Sequence, residues 1–221
     1  MDESVSGEQT GAARWLSVHD DLLRGLTHAL SNRVGTIAAT AYLVELQPAS
    51  LAATAATLRA EGERLETLLL LLRLLPRRTD AAAEPVVPTD ACTQALALQA
   101  YHPLVGDIPV VVAVEGDQQP AYADPAVLVM ALTLALGAAQ RALRGDGRVT
   151  LTISSSTDTV HFAARAVRAD GAAGGADDAT GLDVVAAQWL LAASGGSAFA
   201  TETGATIVVP TLQAARRAQR R

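Results

Sequence analysis

The chain has 221 residues, a net charge of −6, 50% hydrophobic residues and only 3% aromatic ones, so its core has to be built from Leu, Val and Ala. The acidic balance argues against a general nucleic-acid binder, and the single cysteine, Cys92, excludes an internal disulfide and a cysteine zinc cluster. The first residues, MDESVSGEQT, do not resemble a signal peptide, and Arg73 interrupts the longest leucine run, so we expect a cytoplasmic protein without a membrane span.

The chain up to about Pro76 has apolar residues at helical spacing. We expect a disordered N-terminus over 1–12 and a helical hairpin domain over 13–78, with helices 13–46 and 51–75 joined by the tight connection QPAS. In the second helix, leucines recur every seven residues, flanked by further core positions: Leu51, Leu58, Leu65 and Leu72, with Ala55, Gly62 and Leu69. One hairpin cannot bury so wide a stripe, so the pattern predicts a homodimer in which two hairpins form a four-helix bundle.

One histidine of the first helix, His28, is predicted to be exposed. At about 100° per residue, an apolar stripe falls roughly 160–240° away from it: Leu23, Leu26, Leu30, Val34, Ile37, Ala41 and Val44. Asp21, Arg24 and Asn32 flank His28, whereas His19 falls on the buried side. From this geometry alone His28 is either an ordinary polar surface residue or a presented functional group.

After the PRRTDAAAEP segment the pattern becomes strand, helix, strand, helix, hairpin, helix, hairpin, which predicts a second domain over 84–212. The basic tail over 213–221, with AARRAQRR, is predicted to be a solvated helix end or a frayed terminus. The fold class expected for the whole chain is α+β, with the hairpin followed by an α/β sandwich.

The first helix resembles the phosphoacceptor helix of two-component histidine kinases and of the histidine phosphotransferases derived from them. In that family the histidine is followed by Asn or Thr, an aliphatic residue, Ile and an aliphatic pair, at spacings that here hold Asn32, Val34, Ile37, Leu43 and Val44. Two positions depart from the family. The acidic residue that serves as a base in autophosphorylation is Ala29, and the usual Pro is Arg33.

The second domain resembles the ATP-binding domain of the same kinases, through ADPAVL before its central helix and LLAASGGSAFATETGATIVVP at its end. Every nucleotide-binding position of that domain can then be compared. The two metal-binding asparagines correspond to Leu134 and Ala138, and the adenine-binding aspartate to Ala169. The second glycine loop contains Asp183, whose carboxylate would stand at a helix start and repel the phosphates that backbone amides should face there. In the first glycine loop of the family, the first glycine corresponds to Gly171, whereas the last glycine is replaced by Ala173. We therefore expect a degenerate domain without ATP, cofactor or metal, although Asp170 could restore the adenine contact through a register shift.

Together these matches resemble the histidine phosphotransferases of phosphorelays, of the ChpT type. The resemblance implies that His28 takes a phosphoryl group from the aspartyl phosphate of one receiver domain and passes it to the aspartate of another, with Mg²⁺ supplied by the receiver. The implied partners are the receivers of a hybrid kinase and of a response regulator, and the direction of transfer stays open. Asn32 would orient the imidazole. Arg24 would attract phosphate, or else simply pair with Asp21 or Asp20.

Two other functions remain open from the sequence. A dimeric pseudokinase scaffold would bind partners without phosphoryl chemistry, and a divergent active sensor kinase would need nucleotide. The remaining histidines, His102 and His161, stand at no metal-ligand spacing. No nucleic acid or membrane is expected as a partner.

Overall fold

The computed structural model describes residues 2–46, 51–75, 82–103, 107–143, 146–170 and 178–219. The fold class is α+β, as predicted. Its helices are α1 Asp2–Leu46, α2 Leu51–Leu74, α3 Pro88–Gln99, α4 Pro125–Ala142, α5 Asp178–Leu191 and α6 Leu212–Gln219. Its strands are β1 Glu84–Val86, β2 Val110–Glu115, β3 Ala121–Ala123, β4 Gly147–Ser155, β5 Thr159–Arg168, β6 Ser197–Thr201 and β7 Gly204–Pro210.

The first helix is longer than the sequence suggested. Its start at Asp2 corrects the prediction that 1–12 is disordered. The physical reason is tertiary packing: Gly11 is buried, and a Cβ atom there would lie 2.9 Å from the Cβ of Trp189 in α5. The predicted connection at 47–50, and residues 76–78 of the predicted hairpin domain, lie outside the described residues.

The apolar stripe of α1 is split in two. In the single chain, Leu26 is fully buried and Leu30, Ile37 and Val44 are half-buried, whereas Leu23, Val34 and Ala41 are exposed. The predicted burial of all seven depends on a second hairpin and stays a prediction. The exposed positions lie on the edge of the stripe that α2 does not cover. One hairpin thus buries only part of the stripe that the periodicity defines.

The seam of α2 is also shifted from the predicted leucine heptad. The buried residues of α2 are Thr54, Glu61, Leu68 and Leu71, and the buried Leu75 follows directly after the helix. Leu58, Leu65, Leu72 and Gly62 are half-buried, Ala55 and Leu69 are exposed, and the Leu51 side chain is not among those described. The row of buried residues on α2 therefore lies next to the row of heptad leucines and does not coincide with it. The reason is that in the single chain α1 covers this side of α2.

A five-stranded sheet forms one layer of the second domain, in the order β2-β4-β5-β7-β6. The β2–β4 pair is parallel and the remaining neighbours are antiparallel. Strand β1 pairs with β3 in a separate two-stranded sheet. Alternate residues of β4, namely Val149, Leu151 and Ile153, are fully buried beneath the helices.

The central helix α4 forms the middle of the core. Asp124 caps it by accepting hydrogen bonds from the backbone N–H groups of Ala126 and Val127, and Pro125 occupies its first turn. By length and composition α4 could cross a membrane, but 78% of that stretch is buried inside the protein, as in a core helix.

The predicted basic tail contains a helix. Arg217 of α6 forms an ion pair with Asp158 in the β4–β5 turn. The nearby backbone is held as well, since the Leu212 N–H donates to the Pro120 carbonyl. The alternative of a frayed terminus is therefore wrong for residues 212–219, and the last two residues lie outside the described part of the chain.

Candidate functional site

His28 is exposed on α1, two residues beyond the fully buried Leu26. One helical turn further on, the Nδ2 atom of Asn32 lies 3.2 Å from the Nε2 atom of the imidazole. With the amide as donor, Nε2 is the unprotonated nitrogen and its lone pair points along the helix surface. The structure thus brings together two of the three predicted site residues, His28 and Asn32, at hydrogen-bonding distance.

An open depression surrounds the histidine on one side of α1. It is lined by Asp20, Leu23, Arg24, Thr27, His28 and Ser31. The residues are polar apart from Leu23, and all of them are exposed. A surface of this shape is open to another macromolecule and encloses no small ligand.

The third predicted residue, Arg24, lines this depression and pairs with Asp21 rather than Asp20. Its Nη1 atom lies 3.8 Å from the Asp21 carboxylate, and its side chain is 76% exposed. Exposed ion pairs of this spacing contribute little, so the guanidinium is able to turn toward an incoming anion at small cost. The geometry is therefore compatible with both roles predicted for Arg24, which are attraction of phosphate and pairing with an aspartate.

His19 is half-buried one turn before Leu22. Its ring meets the edge of Trp15 at a centroid distance of 5.7 Å, and its Nδ1 atom lies 3.6 Å from an Asp20 carboxylate oxygen. A packed aromatic neighbour restrains this imidazole, which therefore makes a good control for the exposed one.

The two departures from the family pattern both have structural consequences. Ala29 is half-buried against the core and provides no carboxylate beside His28. Arg33 points toward α2, where its Nη1 atom lies 3.3 Å from the buried Glu61. Arg64 pairs with the same carboxylate. Neither departure supplies a base to the imidazole.

Glu61 is the buried acidic residue that sequence reasoning missed. It stands seven residues after Thr54 and seven before Leu68, in the buried seam of α2. Two features of the sequence could have indicated this pair. Glu61 is an acidic residue at a heptad position, and Arg33 on the other helix replaces the usual proline. The Arg33–Glu61–Arg64 cluster fixes how the two helices of the hairpin match in register.

In the second domain the positions that would hold a metal ion are packed instead. Leu134 and Ala138 lie in α4 with at most 1% of their surface exposed. Neither side chain has an oxygen atom, and hard cations need oxygen ligands. Aliphatic core packing thus occupies the part of the helix where the asparagines would be.

The adenine-binding position is also changed. Ala169 follows the end of β5, and the next residue, Asp170, binds Arg168 through a 3.0 Å ion pair that raises the pKa of the arginine. Asp170 therefore has a surface partner. The glycine-loop residues Gly171 and Ala173 lie outside the described residues.

Asp183 corrects one expectation. It was predicted to stand at a helix start and repel phosphates, but it lies inside α5 and is completely buried. The Nε atom of Arg14 lies 2.7 Å from its Oδ1 atom, and Arg141 of α4 pairs with its other oxygen. Burial lowers the pKa of Arg14, and the charge of nearby Asp21 partly opposes this. The carboxylate is therefore neutralised by two arginines and does not face solvent.

The remaining histidines are held by the fold. His102 is buried in the turn after α3, and His161 lies on β5 with its Nε2 atom 2.8 Å from the Thr159 hydroxyl. Burial lowers the pKa of His102; Asp21 opposes the shift, and Arg141 and Arg14 add to it. Among the described residues no group of three or more His, Cys, Asp or Glu side chains is placed to bind a metal ion.

No family model and no curated protein matches the chain. Among solved structures, full-length ShkA in complex with AMPPNP is 18% identical with a TM-score of 0.45, over 88% of this chain and 46% of that one. The Acinetobacter baumannii histidine kinase AdeS is 16% identical with a TM-score of 0.44, over 86% of this chain and 97% of that one. A bacterial phosphotransferase is 17% identical with a TM-score of 0.44, over 87% and 95%. The chain thus spans less than half of ShkA, and at these identities and TM-scores the functional argument rests on the residues of the chain itself.

Proposed function

We propose that this protein is a phosphorelay histidine phosphotransferase that carries a phosphoryl group between receiver-domain aspartates on His28, without using ATP. The observation that supports the proposal most directly is the exposed imidazole whose Nε2 atom is 3.2 Å from the Asn32 amide, at the edge of an open depression. The donor would be the receiver of a hybrid kinase and the acceptor the receiver of a response regulator.

The transfer step requires only one nucleophilic nitrogen from this chain. The Nε2 lone pair of the neutral imidazole leaves the Asn32 amide and attacks the phosphorus of an aspartyl phosphate. The P–O bond to the aspartate breaks and its carboxylate leaves with the electron pair. The second step reverses these roles with another receiver's carboxylate. Mg²⁺ on the receiver stabilises the negative charge, and Arg24 adds a nearby cation.

The degenerate second domain supports a relay over an autokinase. Leu134 and Ala138 offer no metal ligand, and the carboxylate of Asp183 is engaged by two arginines beneath α1. A protein without these ligands has to receive its phosphoryl group from another phosphoprotein, so the divergent sensor kinase is disfavoured by the same residues.

A homodimer is the assembly that best fits the exposed apolar side chains of the hairpin. Among the described large apolar side chains of the hairpin, eight are at least 40% exposed in the single chain: Leu16, Leu23, Val34, Tyr42, Leu43, Leu46, Leu69 and Leu70. A soluble monomer rarely exposes this many large apolar residues on one unit. We place the dimer in the cytoplasm, with receiver domains rather than nucleic acid or membrane as its partners.

The competing function is a non-catalytic dimeric scaffold. One observation favours it: Ala29 leaves the imidazole without an adjacent carboxylate. A phosphorelay transfer tolerates this change better than autophosphorylation does, because aspartyl phosphate is already an activated donor.

The deciding experiment offers the protein a panel of ³²P-labelled phosphorylated receivers from its own organism. We expect acid-labile, alkali-stable label on the wild type and none on His28→Gln, since the glutamine amide is not nucleophilic. His19→Gln is the matched control and should accept label. If no receiver labels the wild type, the scaffold is the better explanation; label that persists on His28→Gln would mean that another residue is the acceptor.

A further inference from the structure

The α/β domain is packed along the first half of α1, from Gly11 to Leu26. At the two ends of this contact, helix and domain approach so closely that only glycine fits: Gly11 against Trp189, and Gly25 against the Tyr101 carbonyl. Between them Trp15, Val18 and Leu22 are buried. The contact is therefore continuous over about four helical turns.

A buried ion bridge crosses this contact. Asp183 of α5 is completely buried, with Arg14 of α1 on one oxygen and Arg141 of α4 on the other. The Arg14 side chain is 21% exposed and the Arg141 side chain 18%. One carboxylate thus ties three helices together. Buried charges are costly without partners, so this bridge disfavours any arrangement in which α1 and α5 separate.

His28 lies just beside the stripe of α1 that faces the domain. At about 100° per residue, the domain-facing residues from Gly11 to Leu26 fall roughly 40–160° to one side of His28, and the open depression falls on the other side. The bridge at Arg14 therefore sets the rotation of α1 about its own axis, and with it the direction in which the imidazole faces.

We propose that Arg14, Asp183 and Arg141 form a lock that fastens the degenerate domain to α1 and so acts as a set of positioning residues for His28. The domain then keeps one fixed position relative to α1 and to the depression beside His28. The lock follows from the packing alone, whereas its effect on transfer rests on the function proposed above.

Arg14→Met tests the lock with little risk of unfolding, because the Asp183–Arg141 pair within the second domain is kept. In hydrogen exchange of the full-length protein, amides of α1 over 11–26 and of α5 should exchange at least about tenfold faster, while those of β4 and β5 keep their wild-type rates. Arg59→Met, at an exposed arginine of α2, is the control and should leave all of these rates unchanged. Wild-type exchange rates in Arg14→Met would overturn the lock.

A second measurement tests positioning. For transfer from a phosphorylated receiver, Arg14→Met should raise the half-saturating receiver concentration about tenfold and leave the saturating rate within about twofold. Faster exchange with an unchanged half-saturating concentration would show that the lock exists but does not position His28, which overturns that half of the proposal. If the wild type accepts no label from any receiver, the proposed function fails, and hydrogen exchange still decides whether the lock is real.

Discussion

At the scale of single residues, four histidines of one chain differ by what surrounds them. His28 is exposed with an amide at one nitrogen, His19 packs against Trp15, His161 is held by a hydroxyl, and His102 is buried near charged groups. Of the four, His28 alone is exposed, and it has a side-chain amide within hydrogen-bonding distance. Substitutions at these positions should therefore have separable effects on stability and on transfer.

Replacement of the two α1 histidines should separate packing from chemistry. His28→Gln should change the free energy of unfolding by less than about 0.5 kcal/mol, as is usual for exposed sites. His19→Gln should cost about 0.5–1.5 kcal/mol, because it removes the aromatic contact with Trp15. Urea denaturation of both variants measures these changes. Equal losses in the two variants would contradict the difference in burial.

The buried His102 predicts a pH dependence of stability. Because its pKa is lowered in the folded state, the unfolded chain binds the proton more readily, and stability should fall as the pH drops below about 6.5. The slope contributed by this group is at most about 1.4 kcal/mol per pH unit. His102→Gln should show a shallower loss between pH 6.5 and 5 in the same denaturation assay. An identical slope in wild type and variant would rule out this histidine as the cause.

At the scale of elements, each hairpin helix has two apolar faces with different roles. The face of α2 that includes Leu68 and Leu71 is buried within the chain, whereas Leu69 and Leu70 are exposed. Leucines that are adjacent in the sequence of α2 therefore have different roles, one in folding and one in association. The first pair stabilises the fold of one chain, and the second pair is available to a second copy.

Charge placed on each face distinguishes these roles. Leu70→Glu should give a folded monomer, because its side chain is 59% exposed in the single chain and the charge is solvated there. Leu68→Asp should destabilise the fold by at least about 3 kcal/mol, because it places a charge in the seam. Light scattering gives the mass of each variant and circular dichroism its folding. A wild-type protein that is monomeric at micromolar concentration would contradict the proposed dimer.

At the scale of the whole molecule, the second domain packs helices on a five-stranded sheet, and aliphatic side chains occupy the positions where the resemblance implies metal ligands. We predict no saturable binding of ATP·Mg at millimolar concentration, because Leu134, Ala138 and Ala169 lack the required ligands and Asp183 is buried. Titration calorimetry checks this directly. Micromolar affinity would show that Asp170 or residues outside the described ranges rebuild the site.

The sequence predicted the elements well because their signals are local. The helical spacing of α1 and α2 and the ADPAVL segment before α4 are each visible in a short window of residues, and the exposure of His28 follows from the helical period of α1. The errors came from contacts between distant segments. The helix before residue 13 forms against Trp189, and the neutralisation of Asp183 needs Arg14 and Arg141, which no short-range pattern connects to it.

The buried Asp183 also limits how this protein is able to evolve. A glycine-rich nucleotide loop at this position would require removal of the carboxylate, which would leave Arg14 and Arg141 facing each other as uncompensated like charges. Replacement of either arginine first would leave the carboxylate with one cationic partner in place of two. A chain that acquires such a loop by changing Asp183 first therefore passes through a less stable intermediate, in which two buried arginines have lost their shared carboxylate.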